Sequence, residues 1–256
     1  MRQGRLILVV EDNETNRKVV VEQLRLIGVA ADIVNDGRAA LASWRSGDFA
    51  LVLTDLQMPE MDGYALATAI RAEEEPGGRR IPIVALTANS LRGDEARCLA
   101  LGMDAYLTKP VRLSRLKATI EAGLAGALQP ASGEPLVDAA PKVTDPPADL
   151  RVLAALVGDD PAVIEEMVQA FREAAALARQ RLAQCVVSGS GQTARDAAHQ
   201  MKSGARSIGA LGLGAICEEI EQAVGFGTSP ALEGLVARFD AELDRVLACL
   251  ESKPGL

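Results

Sequence analysis

The chain has 256 residues, 48% of them hydrophobic and 24% charged, which is enough for two domains, each with its own core. Its formal net charge is -8, and residues 149–256 carry ten basic against fifteen acidic side chains; with no basic stripe interleaved with aromatics, the composition argues against nucleic-acid binding. No run approaches the roughly 18 apolar residues of a membrane span, and no signal peptide precedes the first apolar run, so a cytoplasmic chain without membrane contact is expected. The four cysteines (Cys98, Cys185, Cys217, Cys249) lack metal-ligand spacing, and three fall on apolar helix faces, as reduced core residues do.

Strand and helix patterns alternate over the first half. Strands are expected near 5–10, 30–34, 50–54, 81–86 and 104–107, and helices near 14–28, 36–46, 63–73, 90–101 and 112–127. This is the pattern of an α/β doubly wound, five-stranded parallel sheet. Polar residues sit where the apolar runs stop. Glu11 and Asp12 follow Leu6-Ile-Leu-Val-Val10, Asp55 follows Leu51-Val-Leu-Thr54, Thr87 follows Ile83-Val-Ala-Leu86, and Lys109 follows Ala105-Tyr-Leu-Thr108. One such acid could be a loop or helix-start residue. Five polar positions at four strand ends point instead to one rim of the sheet, where open α/β folds bind ligands. Residues 73–80, Glu-Glu-Glu-Pro-Gly-Gly-Arg-Arg, read as a solvated charged loop.

The stretches Val10-Glu-Asp-Asn-Glu-Thr-Asn-Arg17, Thr54-Asp-Leu-Gln-Met-Pro59, Ala85-Leu-Thr-Ala88 and Gly102-Met-Asp-Ala-Tyr-Leu-Thr-Lys-Pro110 resemble the response-regulator receiver domain over residues 1–125. The resemblance implies a flavodoxin-like strand order, 2-1-3-4-5, which makes Asp55 a neighbour of Glu11 and Asp12. Three carboxylates so placed repel one another unless a divalent cation and a lysine offset them. Lys109 would be that lysine, and an all-oxygen, carboxylate-rich site suits Mg²⁺. The resemblance further implies that Asp55 is the phosphoacceptor. Asp12, Asp55 and the Gln57 carbonyl would touch the metal, and Glu11 would act mostly through water. Thr87 would donate to the phosphoryl group and Tyr106 would follow its movement. Lys109 is expected to contact the bound group and not the core.

Residues 126–148 hold five of the twelve prolines without an apolar period, and read as a flexible linker. From 149 to 256 only helical periods follow. Met167, Phe171, Ala174, Ala178, Leu182 and Cys185 form one stripe, Leu213, Ile216, Cys217, Ile220 and Val224 a second, and Leu232, Leu235, Val236, Phe239, Leu243, Val246 and Leu250 a third. With a helix over 192–207 these make an all-α four-helix bundle, preceded by a short helix near 149–157. Asp159-Asp160-Pro161 supplies helix-start chemistry.

The 192–207 helix carries the only histidine. At 100° per residue, Arg195, His199, Lys202, Ser203 and Arg206 share one face opposite Ala194, Ala197, Met201, Ala205 and Ile208, so His199 is expected at the surface among cations. The stretch from His199 to Ala210, with Cys217 and Glu218-Glu219-Ile-Glu221 after it, resembles the histidine phosphotransfer (HPt) domain. That implies a phosphoryl group carried on His199, assisted by Lys202. In this family glycine commonly follows the lysine, where this chain has Ser203, expected on the surface that a partner approaches.

The expected function is a phosphorelay between Asp55 and His199, within the chain or with partners: a histidine kinase or other phosphodonor, and a downstream response regulator. No glycine-rich nucleotide loop or kinase motif is present, so phosphate must come from outside. Alternatives are the C-terminal part of a hybrid sensor histidine kinase, or a non-catalytic interaction module acting through the receiver surface. A phosphatase with an aspartate nucleophile fits worst, because Gln57 stands where its second acid belongs.

Overall fold

The computed structural model describes residues 6–87, 92–128, 146–188, 190–223 and 230–252, with the side chains of 92–95 and 230–231 left aside. Outside this range lie Ala88, Val224, the expected beginnings of the first strand and fourth helix at residues 5 and 90, and residues 129–145 of the expected linker. The chain divides into two units, Met1–Val137 and Asp138–Leu256.

The first unit alternates β1 (Leu6–Val10), α1 (Glu14–Ile27), β2 (Ala30–Val34), α2 (Gly37–Ser46), β3 (Leu51–Asp55), α3 (Gly63–Glu73), β4 (Ile83–Thr87), α4 (Arg92–Ala100), β5 (Ala105–Thr108) and α5 (Leu113–Leu124). All pairings are parallel, in the order β2-β1-β3-β4-β5. Strand residues alternate between two cores, as the pleat requires. Leu8, Val10, Val52, Ile83 and Ala85 face Ala40, Leu41, Leu66 and Ile70 of α2 and α3. Ile7, Val9, Leu51, Leu53, Val84 and Leu86 face Val20 and Leu24 of α1 and Leu116 and Ile120 of α5. Burial on both sides explains why these strands read as unbroken apolar runs.

Caps fix where the helices begin. Asn13, Asp36 and Asp62 accept from the backbone N–H groups of Asn16, Ala39 and Ala65 at 3.0, 2.8 and 2.7 Å, satisfying donors that have no partner inside the helix. Gly63 opens α3 directly against the end of β3: a Cβ there would lie 2.2 Å from the Asp55 carbonyl oxygen. The charged loop after α3 is tied down rather than free. Arg45 pairs with Glu73, Arg79 with Asp48, and Arg80 with Asp104, while Glu74 accepts from Arg71 and from the Ile81 N–H.

The second unit holds α6 (Leu150–Val157), α7 (Pro161–Ser188), α8 (Gly191–Ser207), α9 (Leu211–Ala223) and α10 (Pro230–Glu251). Phe171, Leu182, Met201, Cys217, Ile220, Phe239 and Leu243 are among its buried side chains. Asp160 caps α7 through the Ala162 N–H at 3.0 Å. Gly209, at φ 72°, turns the chain between α8 and α9 where a Cβ would lie 2.5 Å from the Asp149 carbonyl oxygen, so the start of α6 docks on that turn.

Candidate functional site

Parallel strands put all their carboxyl ends on one rim, and the register sets which residues meet there. Val10 pairs with Thr54, so Glu11, one residue on, comes level with Asp55; Thr87 pairs with Thr108, which Lys109 follows. Lys109 Nζ donates to Glu11 Oε2 and to Asp55 Oδ2, both at 2.5 Å. The Gln57 N–H donates to Asp55 Oδ1 at 3.3 Å. Carboxylate oxygens of Glu11, Asp12 and Asp55 lie within 4.8 Å of one another.

Burial sets the electrostatics of this pocket. The Glu11 side chain is 0% exposed and that of Lys109 7%. Burial pushes the Glu11 carboxyl up to about 7, helped by the Asp55 and Asp12 charges and opposed by Lys109. Burial alone would lower the lysine, but the Asp55 and Glu11 charges outweigh it and raise Lys109 above its ordinary value. Lys109 is therefore buried among the carboxylates it was expected to offset. Thr87, at the end of β4, is buried, and its carbonyl accepts from the Lys109 N–H at 2.7 Å. Tyr106 is buried in the core on the α2 and α3 side, in register with Ala85.

The second unit gathers a different constellation where α8 meets α9. His199 Nδ1 lies 3.0 Å from Glu221 Oε1, and Lys202 Nζ donates to Glu221 Oε2 at 2.5 Å. Arg206 donates to Glu218 at 2.9 Å. The surface expected from the helical wheel needs correcting: the His199 side chain is 18% exposed, that of Lys202 only 4%, and Ser203 is buried. The wheel assumed one buried face, whereas α8 packs against α7 on one side and α9 on the other. Glu221 was not foreseen as a site residue. Its signal was present, since it lies four residues beyond Cys217 on the apolar stripe of α9, and a carboxylate so placed needs a partner. Burial would raise Glu221, but hydrogen bonds from His199 and Lys202 hold it below the ordinary carboxylate range. Burial beside that charge also drives the Cys217 thiol up to about 12.

Among the described residues no helix is long and apolar enough to cross a membrane. Residues 7–121 match the family model of the response regulator receiver domain, and residues 166–249 match that of the Hpt domain. A virulence sensor protein of Bordetella pertussis is 33% identical over 97% of this chain, which spans 21% of that protein. A hybrid signal transduction protein of Dictyostelium discoideum is 48% identical over 44% of this chain and 7% of its own length. The receiver domain of a sensor histidine kinase from Pseudomonas aeruginosa, solved with magnesium in its active-site cleft, is 39% identical, with a TM-score of 0.44, over 48% of this chain and 98% of that one. The chain thus spans a small part of its curated relatives, and what it carries is a response regulator receiver domain followed by an Hpt domain, the two modules of a two-component phosphorelay.

Proposed function

We propose that the chain relays phosphoryl groups, with Asp55 as acceptor in the receiver and His199 as carrier in the Hpt domain. The observation that supports this most is Asp55 at the end of the central strand, with Lys109 on one oxygen and two further carboxylates within 4.8 Å. That donor set is all oxygen and acidic, which fits Mg²⁺; Asp12, Asp55 and the Gln57 carbonyl would hold it, with Glu11 acting mostly through water. The ion when bound would offset charge on the phosphoryl oxygens. An Asp55 oxygen forms its bond to phosphorus as the bond to the donor's leaving atom breaks, and that atom keeps the electron pair. Lys109 shifts from the carboxylate towards the phosphoryl oxygens, the Thr87 hydroxyl donates to the same group, and Tyr106 follows Thr87.

In the Hpt domain, an Nδ1–H donated to Glu221 leaves the lone pair on Nε2, which makes Nε2 the phosphoryl-carrying atom. Lys202, held by the other Glu221 oxygen, lies one turn from the histidine and offsets the phosphoryl charge. When the group moves on to an aspartate, the P–N bond breaks and its electrons return to Nε2.

Phosphodonors and receivers outside the chain, a kinase upstream and a response regulator downstream, complete the relay, in the cytoplasm. A second reading, that the chain is the C-terminal part of a hybrid sensor kinase, is favoured by the Bordetella relative, since nearly all of this chain aligns within a fifth of that protein. The test is radiolabel transfer from a purified histidine kinase to wild type, Asp55→Asn and His199→Ala. Receiver labelling should need Mg²⁺ and vanish in Asp55→Asn, while His199→Ala should leave the Hpt domain unlabelled. Receiver label at wild-type rate in Asp55→Asn, or Hpt-domain label at wild-type rate in His199→Ala, would overturn that half of the reading.

A further inference from the structure

Past Val10 the chain leaves the sheet. The Glu11 N–H still donates to Val34 O at 3.1 Å, but the Glu11 and Asp12 carbonyls lie beyond the β1 ladder. One nitrogen answers both: Arg17 Nη1 donates to Glu11 O at 3.1 Å and to Asp12 O at 3.2 Å. The preceding residue of α1 holds the side chain. Asn16 Nδ2 donates to Glu11 Oε1 at 3.2 Å, an oxygen that also accepts the Asn13 N–H at 3.3 Å, while Lys109 holds Oε2. The first turn of α1 is itself fixed by the Asn13 cap. Asn16 is buried. Two adjacent helix residues thus tie down the acid-bearing loop, one through its main chain and the other through the Glu11 carboxylate.

We propose that Asn16 and Arg17 are positioning residues that set the affinity of the Glu11, Asp12 and Asp55 pocket for a divalent cation. The inference rests on the reading that these carboxylates hold Mg²⁺, and neither residue need touch the ion. Ligands on a loop free to swing lose more entropy on binding than ligands already held, and partners behind metal ligands typically alter affinity about ten- to a hundredfold when removed. The sign of the effect separates geometry from charge. Arg17 is a cation beside a cation site, so on Coulombic grounds its removal would tighten Mg²⁺ binding. Loss of the clamp works the other way.

The experiment is calorimetric titration of Mg²⁺ into the full chain for wild type, Asn16→Ala, Arg17→Ala and Arg17→Lys, with far-UV spectra in chelator to establish that each is folded. The Mg²⁺ Kd is expected to rise about tenfold or more in both alanine variants. Arg17→Lys, which keeps a donor and the charge, should stay near wild type. An unchanged or tighter Kd in both folded alanine variants overturns the proposal while leaving the metal site standing. A wild type that takes up no Mg²⁺ overturns the metal reading as well.

Discussion

At the scale of single residues, both sites are built on a charge, buried in Lys109 and half-buried in Glu221, that two partners share, and this makes them sensitive to removal of one member. Lys109 lies between Glu11 and Asp55, so Lys109→Met should leave two buried carboxylates without a counter-charge and cost about 3–5 kcal/mol near pH 8. The loss should shrink as pH falls and Glu11 takes up a proton, which urea melts over pH 5–8 would read; a variant as stable as wild type at pH 8 would contradict the pairing. Glu221 follows the same direction in a lower pH range. Its folded value lies below its unfolded one, so its stabilising share is present above the ordinary carboxyl value of about 4.5 and is lost as pH falls through the folded value. Glu221→Gln, which strands the buried Lys202, should cost roughly 3 kcal/mol at pH 7, and its gap from wild type should close as pH falls below the ordinary carboxyl value in acid titrations followed by circular dichroism. Glu11, Asp55, Thr87 and Lys109 were legible because each stands where an apolar run stops, a pattern that survives any detail of packing. Glu221 was harder to see, because an acidic Glu218-Glu219-Ile-Glu221 segment reads as surface until the helix opposite it is known. Lys202 and Ser203 were placed on the surface for the same reason: the wheel of one helix does not reveal how many neighbours it has.

At the scale of elements, the geometry of the receiver rim depends on how closely α3 can approach β3. Gly63 is the point of contact, and the Asp62 cap and Gly63 N–H, which donates to Leu56 O at 3.1 Å, fix the turn that follows Asp55. A methyl group at Gly63 would meet backbone, which cannot move aside as a flexible side chain can. Gly63→Ala should therefore shift the β3–α3 turn, lower stability by about 1–3 kcal/mol, and slow Asp55 labelling by small phosphodonors. The comparison is Gly234, an exposed glycine in α10 around which a Cβ would meet nothing within 4 Å. Gly234→Ala should stabilise by about 0.5–1 kcal/mol, since helix conformation is kept and the unfolded chain loses freedom. Chemical denaturation of the two variants side by side would check both signs; a stabilised Gly63→Ala would mean that α3 seats itself without close approach to the strand.

At the scale of the whole molecule, the sequence shifts from alternating strand and helix periods to helical periods alone, and the structure divides into two units between residues 137 and 138. The two apolar layers around the sheet draw on residues of the first unit. Stability should then be a property of each unit separately, because a perturbation couples to others only through shared contacts. Ile70, fully buried on α3, and Phe171, fully buried on α7, are suitable probes. Ile70→Ala should cost about 2–5 kcal/mol and move only the receiver transition, and Phe171→Ala about 3–5 kcal/mol and only that of the bundle. Calorimetry of the full chain should match the sum of separate 1–128 and 148–256 fragments, and the double variant should equal the sum of its singles within about 0.5 kcal/mol. A single cooperative transition that disappears on cutting, or a Phe171→Ala effect on the receiver, would instead show that the two modules fold as one body. Exchange between Asp55 and His199 would then have to be argued from that docked arrangement rather than from two carriers that meet as separate domains.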